Sequence, residues 1–267
     1  YGPTFRWFDR RKMMGSATDT HFLDLENGRR LAYRNLSGHE PGVVFLPGYR
    51  SDMNGSKALA IEKLCSERGN AFLRFDYSGH GESSGEFTDG TIGSWTQDAV
   101  EAVDSLTKGR QVLVGSSMGG WIMLLLALAR RERVAGLVGI AAAPDFTVAF
   151  ERTLSTEQRA TLDREGVLEL TNEYGPEPTP FTKTLLADGY THALLGDELR
   201  LDCPLRLLQG LQDPDVPWCT SVTIMKAMRS ADVSLELIKD GEHRLSRAQD
   251  IARIRRSVSE LLDDLEF

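Results

Sequence analysis

The stretch QVLVGSSMGGWIMLLLALA, Gln111 to Ala129, decides how the whole chain is read. It begins with β-formers, ends in an unbroken apolar run from Trp121 to Ala129, and holds two adjacent serines between glycines. That is the pattern of a strand, a tight turn and a buried helix. Gly115-Ser116-Ser117-Met118-Gly119 fits G-x-S-x-G with Ser117 at its centre. The motif requires small residues two before and two after the serine, because side chains there would collide with the neighbouring strand and helix. Ser116 fails this test, since Val114 and Met118 would flank it. On the motif alone, a glycine-rich turn with two solvated serines reads as well as a nucleophile, so the flanking chain has to decide.

Upstream, THFLDLENGRRLAYRNL carries two alternating apolar and polar runs around Asn27-Gly28, the signal of an antiparallel hairpin. After it the chain changes character. VVFL, AFLRF, QVLVG, VAGLVGI, LRLLQG and VSLELI are short apolar runs of the kind expected for strands buried on both faces. Helical patterns separate them: Ile92, Trp95, Ala99, Val103 and Leu106 share one helical face, with Gly109 beyond the end. Such alternation predicts an α/β fold with a mostly parallel, doubly wound sheet after an antiparallel N-terminal hairpin. Residues 145–201 break the alternation. They hold STEQRATLDREGVLEL at helical spacing and the proline-rich YGPEPTP, and read as a mostly helical insertion. Placed after the fourth parallel strand, the insertion would cover the carboxyl ends of the strands, where ligands bind, as a lid. The expected organisation is therefore one domain over 18–267, this lid within it, and an N-terminal segment over 1–17.

Composition excludes several function classes. A net charge of −8 repels the phosphate backbone, so no nucleic-acid partner is expected. The run Trp121–Ala129 is far short of the roughly 20 residues that span a bilayer, so no membrane span is expected either. Three cysteines, Cys65, Cys203 and Cys219, with no C-x-x-C spacing suggest neither a disulfide framework nor a zinc site. The opening YGPTFRWFDRRKMMGS has basic and aromatic residues without an apolar signal-peptide core, and a targeting segment is expected to have been removed before it. The loop AFLRFDYSGHGESSG has Gly79 and Gly81 but lacks the third glycine of a dinucleotide-binding turn.

A serine hydroxyl needs a histidine base, itself oriented by a carboxylate, and a strand-turn-helix serine calls for them in the order Ser, Asp, His. LRLLQGLQDPDVPW ends a strand at Gly210 and follows it with Asp213. VSLELIKDGEHRLS then places His243 in the loop after Ile238. His21 and His39 lie near the first hairpin, His80 in GHGES and His192 in the insertion, where packing or solvent is the expected role. Asp215 competes with Asp213; Asp213 is preferred because it comes sooner after the strand, whereas Asp215 can bond its own turn. An oxyanion hole requires two backbone N–H groups. Met118 would supply one and Tyr49, after Gly48 in VVFLPGYRSDMNGSKA, the other, with the Tyr49 ring and Arg50 lining the pocket, although Leu46-Pro47-Gly48 reads nearly as well as a plain turn. This chemistry requires no metal or organic cofactor, and no ligand cluster for one is evident.

LPGYRSDMNGSKA, RFDYSGHGESSG, VGSSMGGW, GLQDPDVPW and DGEHRLS together resemble the α/β-hydrolase superfamily over nearly the whole chain. The run from Tyr49 to Ala58 is similar to a mitochondrial branch of it in particular. The resemblance implies a mitochondrial serine hydrolase that removes S-acyl groups from cysteine, a palmitoyl-protein thioesterase also credited with cleaving acyl glucuronides. It assigns Ser117, Asp213 and His243 as the triad, with S-acylated proteins and small acyl esters as substrates. One departure is that the family's usual His-Gly before the oxyanion loop is Pro47-Gly48 here, so the resemblance does not carry a histidine contribution over to that loop. A general small-molecule carboxylesterase, or a ligand-sensing protein without catalysis, is the alternative reading, because fold does not fix function.

Overall fold

The computed structural model describes residues 19–26, 28–171 and 177–265. The segment 1–17 and Asn27 lie outside the described residues. Strands β1 (His21–Asp24) and β2 (Arg30–Leu36) form the expected antiparallel hairpin, with Gly28 at φ 78° in its turn. There follow β3 (His39–Leu46), α1 (Ser56–Arg68), β4 (Asn70–Phe75), α2 (Ile92–Leu106), β5 (Gln111–Ser116), α3 (Met118–Ala129) and β6 (Val134–Ile140). After the insertion come β9 (Leu205–Gly210), α7 (Trp218–Ala227), β10 (Val233–Ile238) and α8 (Ala248–Leu265).

These strands make one eight-stranded sheet in the order β1-β2-β4-β3-β5-β6-β9-β10, antiparallel at β1-β2 and β2-β4 and parallel from β4 to β10. The period of two along each strand sends alternate residues to opposite faces. Val43, Phe45, Val112 and Val114 pack with α1 and α8, through Ile61, Leu64, Ile254 and Val258. Val44, Leu46 and Leu113 pack on the other face with α2 and α3, through Trp95, Ala99, Trp121 and Met123. Helix α3 is buried over most of its circumference, so its sequence is apolar all round instead of amphipathic. Winding runs from β3 to β4 in one direction and from β5 to β6 in the other. The carboxyl ends of β3 and β5 therefore flank the switch point of the sheet, where a crevice opens.

Between β6 and β9 the insertion is mostly helical in its regular structure, as expected, but it also carries a strand pair that the sequence reading did not include. It contains α4 (Phe146–Thr153) and α5 (Thr156–Glu165), then an antiparallel pair, β7 (Val167–Leu170) and β8 (Thr179–Thr182), then α6 (Lys183–Thr191). Gly166 ends α5 at φ 76° with its N–H on the Leu162 carbonyl, and Val-Leu-Glu-Leu beyond it alternates as a strand. Apolar spacing continues through this point, but the left-handed Gly166 ends the helix. Residues 172–176, which include Tyr174 to Pro176 of the proline-rich stretch, lie outside the described residues.

The insertion is stitched to the body. Asp145, at φ 59°, accepts the N–H groups of Leu194 and Leu195, both at 2.8 Å, so the start of the insertion holds its end. Asp188 on α6 accepts the Gly93 N–H in the first turn of α2, at 2.8 Å. Trp121 is fully buried in α3 and gives its indole N–H to the His192 carbonyl at 3.1 Å. Among the described residues, no helix is long and apolar enough to cross a membrane.

Candidate active site

Ser117 occupies the turn between β5 and α3 with φ 54° and ψ −122°, a conformation that costs energy for a residue with a Cβ. Hydrogen bonds on both sides hold it there. Its N–H reaches the Ile140 carbonyl at 2.9 Å, and its own carbonyl accepts from Gly120 at 2.8 Å and Ala143 at 3.0 Å. The motif glycines are required by contact. A Cβ on Gly119 would lie 2.1 Å from the Leu46 carbonyl oxygen, and one on Gly115 would lie 2.3 Å from the Gly119 carbonyl oxygen. Helix α3 is thereby pressed against the end of β3, and Ser117 projects above the sheet at the switch point.

His243 approaches from the loop after β10. Its Nε2 lies 3.0 Å from the Ser117 Oγ, and its Nδ1 lies 2.9 Å from Asp213 Oδ2. With Nδ1 donating to the carboxylate, Nε2 is left to accept the serine proton. The Asp213 side chain is fully buried and both its oxygens are satisfied: Oδ2 also accepts from Gln209 Nε2 at 2.9 Å, while Oδ1 accepts the amides of Asp215 at 2.9 Å and Val216 at 2.8 Å. Burial works against the carboxylate charge, but the hydrogen bond and charge of His243 and the two amides outweigh it and hold the group below its ordinary range. Asp215 is half exposed, and its carboxylate comes only to 4.0 Å of His243 Nε2, too far for a hydrogen bond. Ser116 ends β5 on the cleft wall.

Gln209 is a residue that sequence reasoning missed. It is completely buried, donates to Asp213 and to the Val216 carbonyl, and accepts from the Ser221 hydroxyl at 3.1 Å. The available signal is an uncharged polar residue at the carboxyl end of the run LRLLQG, next to the loop that holds Asp213. A second buried network braces the loop that follows β3. Asp76 accepts the Met53 N–H at 2.7 Å and the Glu82 N–H at 2.9 Å, while Arg74 donates to the Met53 carbonyl and pairs with Glu62 at 3.0 Å. Burial pushes the Asp76 carboxyl up to about 6. His80 lies among Tyr77, Phe87 and Trp95, and burial takes it down to about 4, so it is a neutral packing residue as expected.

Ser117 and His243 open onto a cleft of about 1150 Å³. One part of its wall is apolar, with Phe146, Ala149, Phe150, Leu170 and Phe181 from the insertion. Another part is polar, with Asp52, Lys57, Asp215 and Arg244. Lys57 donates to the Arg244 carbonyl at 2.6 Å; burial, then the Arg244 charge, brings its ammonium down to about 8. Nothing in the sequence around Lys57 marks it as a cleft residue. Tyr49, Met118 and Arg50 line the same cleft, and Gly48 brings the β3 loop so close that a Cβ there would lie 3.3 Å from the Ser117 Cβ. Asp213, Asp215 and His243 offer ligand atoms within 4.8 Å of one another. Both Asp213 oxygens and His243 Nδ1 are already engaged in the hydrogen bonds above, so this set is not a ready metal site.

Residues 43–263 match the alpha/beta hydrolase family. This chain belongs to that family. It is accordingly a hydrolase, and its eight-stranded sheet is the α/β-hydrolase fold. The chain is 39% identical over 261 residues to the human mitochondrial palmitoyl-protein thioesterase ABHD10, covering 97% of this chain and 84% of the relative. The structure of mouse alpha/beta hydrolase domain-containing protein 10 superposes with a TM-score of 0.87 at 38% identity, over 93% of this chain and all of that one. A crystal structure from Agrobacterium vitis S4, described as a hydrolase, superposes at 0.88 with 40% identity, over 91% of this chain and 98% of that one.

Proposed function

We propose that this α/β hydrolase is an acyl thioesterase and esterase that acts through a covalent acyl-serine. The observation that carries the reading is the continuous hydrogen-bonded chain from Ser117 through His243 to Asp213 on the floor of a cleft with an aromatic wall. His243 takes the proton from Ser117 Oγ as the oxygen attacks the thioester or ester carbonyl. Asp213 fixes the tautomer and stabilises the imidazolium. The N–H groups of Tyr49 and Met118 receive the negative charge that develops on the carbonyl oxygen, that of Met118 being at the positive end of α3. His243 then protonates the departing thiolate or alkoxide, and water repeats the sequence on the acyl-serine to release the acid.

For substrate, the apolar wall from the insertion favours a fatty acyl chain, since each buried CH₂ contributes about 0.8 kcal/mol. The palmitoyl-protein thioesterase relative supports S-acylated cysteine as the natural ester, and its name supports mitochondrial residence. Acyl glucuronides are a second substrate class of this reading, with the polar part of the wall available to the sugar acid. The test is a panel of short and long acyl thioesters, oxygen esters, an acyl glucuronide and amides, run beside labelling by a fluorophosphonate. Labelling with turnover of long acyl thioesters supports the reading. Preference for short oxygen esters favours a general carboxylesterase, and absence of both labelling and turnover favours a sensing role. Fractionation of cells expressing the full-length protein tests the compartment.

A further inference from the structure

Tyr49 faces two ways. Its backbone lies in the tight loop after β3, closed by the Ser51 N–H on the Gly48 carbonyl at 3.1 Å and set directly against the Ser117 turn. Its side chain runs into the insertion. The phenol donates to the Pro180 carbonyl in β8 at 2.5 Å, and burial pushes that phenol far above its ordinary range, so it stays a donor. The ring stacks on Phe181 with centroids 5.4 Å apart and an interplanar angle of 22°, and Phe181 stacks in turn on Phe150 of α4 at 4.1 Å and 20°. On the body side the same ring meets the edges of Phe87 at 4.8 Å and Trp95 at 5.8 Å. The next residue continues the connection: Arg50, at φ 53°, donates to the Pro178 carbonyl and pairs with Glu177 at 3.0 Å.

We propose that the Tyr49 side chain is a positioning residue that reports filling of the apolar wall to the backbone N–H beside Ser117. An acyl chain lying against Phe150 and Phe181 completes their packing, which holds the Tyr49 ring and its bond to Pro180, which holds the amide on the oxyanion. The inference rests on the acyl-transfer reaction proposed above and adds how chain length enters it. Binding energy from a remote part of a substrate raises kcat only when it is realised in the transition state, and a rigid link from acyl wall to oxyanion donor does that. Oxyanion donors are sensitive to placement, since losing one outright costs about 10²–10³-fold in kcat.

The test is kcat and KM for thioesters of one common thiol with acyl chains of two to sixteen carbons, in the wild type, Tyr49→Phe and Phe181→Leu. In the wild type, kcat should rise about 10-fold from acetyl to dodecanoyl, a fraction of the effect of a whole donor. Tyr49→Phe keeps the ring and removes the bond to Pro180; the dodecanoyl-to-acetyl ratio of kcat should fall to within about 2-fold of unity, with long-chain KM changing less than kcat. Phe181→Leu should flatten the ratio in the same way. A ratio equal in wild type and Tyr49→Phe, or a change confined to KM, overturns the inference while leaving the reaction intact. A wild type that turns over none of the series overturns the reaction and the inference with it. Melting temperature and the rate of labelling by a small ethyl fluorophosphonate separate misfolding from mispositioning: variants that melt with the wild type, label, and keep the wild-type ratio refute it.

Discussion

Ser117 and His243, 126 positions apart in the chain, meet at 3.0 Å between Oγ and Nε2. The contact selects between the two serines of the motif. Ser117→Ala should abolish fluorophosphonate labelling and acyl-enzyme formation, whereas Ser116→Ala should leave both within about 3-fold, since Ser116 contributes to the wall without a nucleophile's role. Intact-mass spectrometry after labelling reads the outcome. Labelling that survives in Ser117→Ala would exclude it as the nucleophile.

Four hydrogen bonds converge on Asp213 and the Asp215 carboxylate lies 4.0 Å from His243 Nε2, so the proposed mechanism gives Asp213 the orienting role. Asp213→Asn should lower kcat by about 10⁴-fold through the wrong tautomer, and Asp215→Asn by less than about 10-fold. A pH dependence accompanies this. The folded-state pKa of Asp213 is depressed, so its ionised form contributes stability that is present above the unfolded value near 3.9 and lost as pH falls through the lower folded value. The stability gap between wild type and Asp213→Asn, from denaturant titrations, should therefore narrow as pH falls below about 4. Equal loss of turnover in both variants would remove the distinction.

Glycines 119 and 48 separate folding from catalysis. A Cβ on Gly119 meets the Leu46 carbonyl oxygen at 2.1 Å and the Pro47 carbonyl oxygen at 2.5 Å, both backbone atoms that cannot swing away. Gly119→Ala should cost roughly 2–4 kcal/mol of stability. At Gly48 the nearest atoms are the Ser116 oxygen at 3.2 Å and the Ser117 Cβ at 3.3 Å, a tightness the loop can absorb by shifting a few tenths of an ångström. Gly48→Ala should fold with less than about 1 kcal/mol of loss, yet lower kcat by 10-fold or more as the Tyr49 amide moves. Calorimetry and kinetics on the pair decide it.

Acyl length can be probed by filling the cleft. Excision of the insertion is the wrong tool, because Leu185 and Leu199 belong to the main core and their loss would unmake it. Ala149, exposed on the apolar wall, accepts a larger side chain without disturbing the body. Ala149→Trp should exclude about four methylenes from the cleft, near 3 kcal/mol, and so lower kcat/KM for palmitoyl thioesters on the order of 100-fold while sparing acetyl thioesters. An unchanged chain-length profile would locate the acyl site elsewhere in the cleft.

By itself the sequence determined the strand-turn-helix around Ser117, the doubly wound sheet and the order Ser, Asp, His. Each of these is a local pattern: buried parallel strands are uniformly apolar, and Gly115 and Gly119 are contacts within one turn or with its adjacent strand. It also placed the insertion, but not the antiparallel pair within it. The pairing of β7 with β8 is made by backbone partners from two separate segments, and apolar spacing cannot distinguish a short strand from a last helical turn. The sequence preferred Asp213 to Asp215 by its place after the strand, but only the tertiary structure separates the two in burial and in contact with His243, because both sit in the same loop. Only the tertiary structure likewise shows Gln209 behind the acid and the phenol of Tyr49 on the Pro180 carbonyl, 131 positions away. These partners are set by how the sheet and the insertion pack together, and a hydrogen bond between distant loops leaves no periodic trace in the chain.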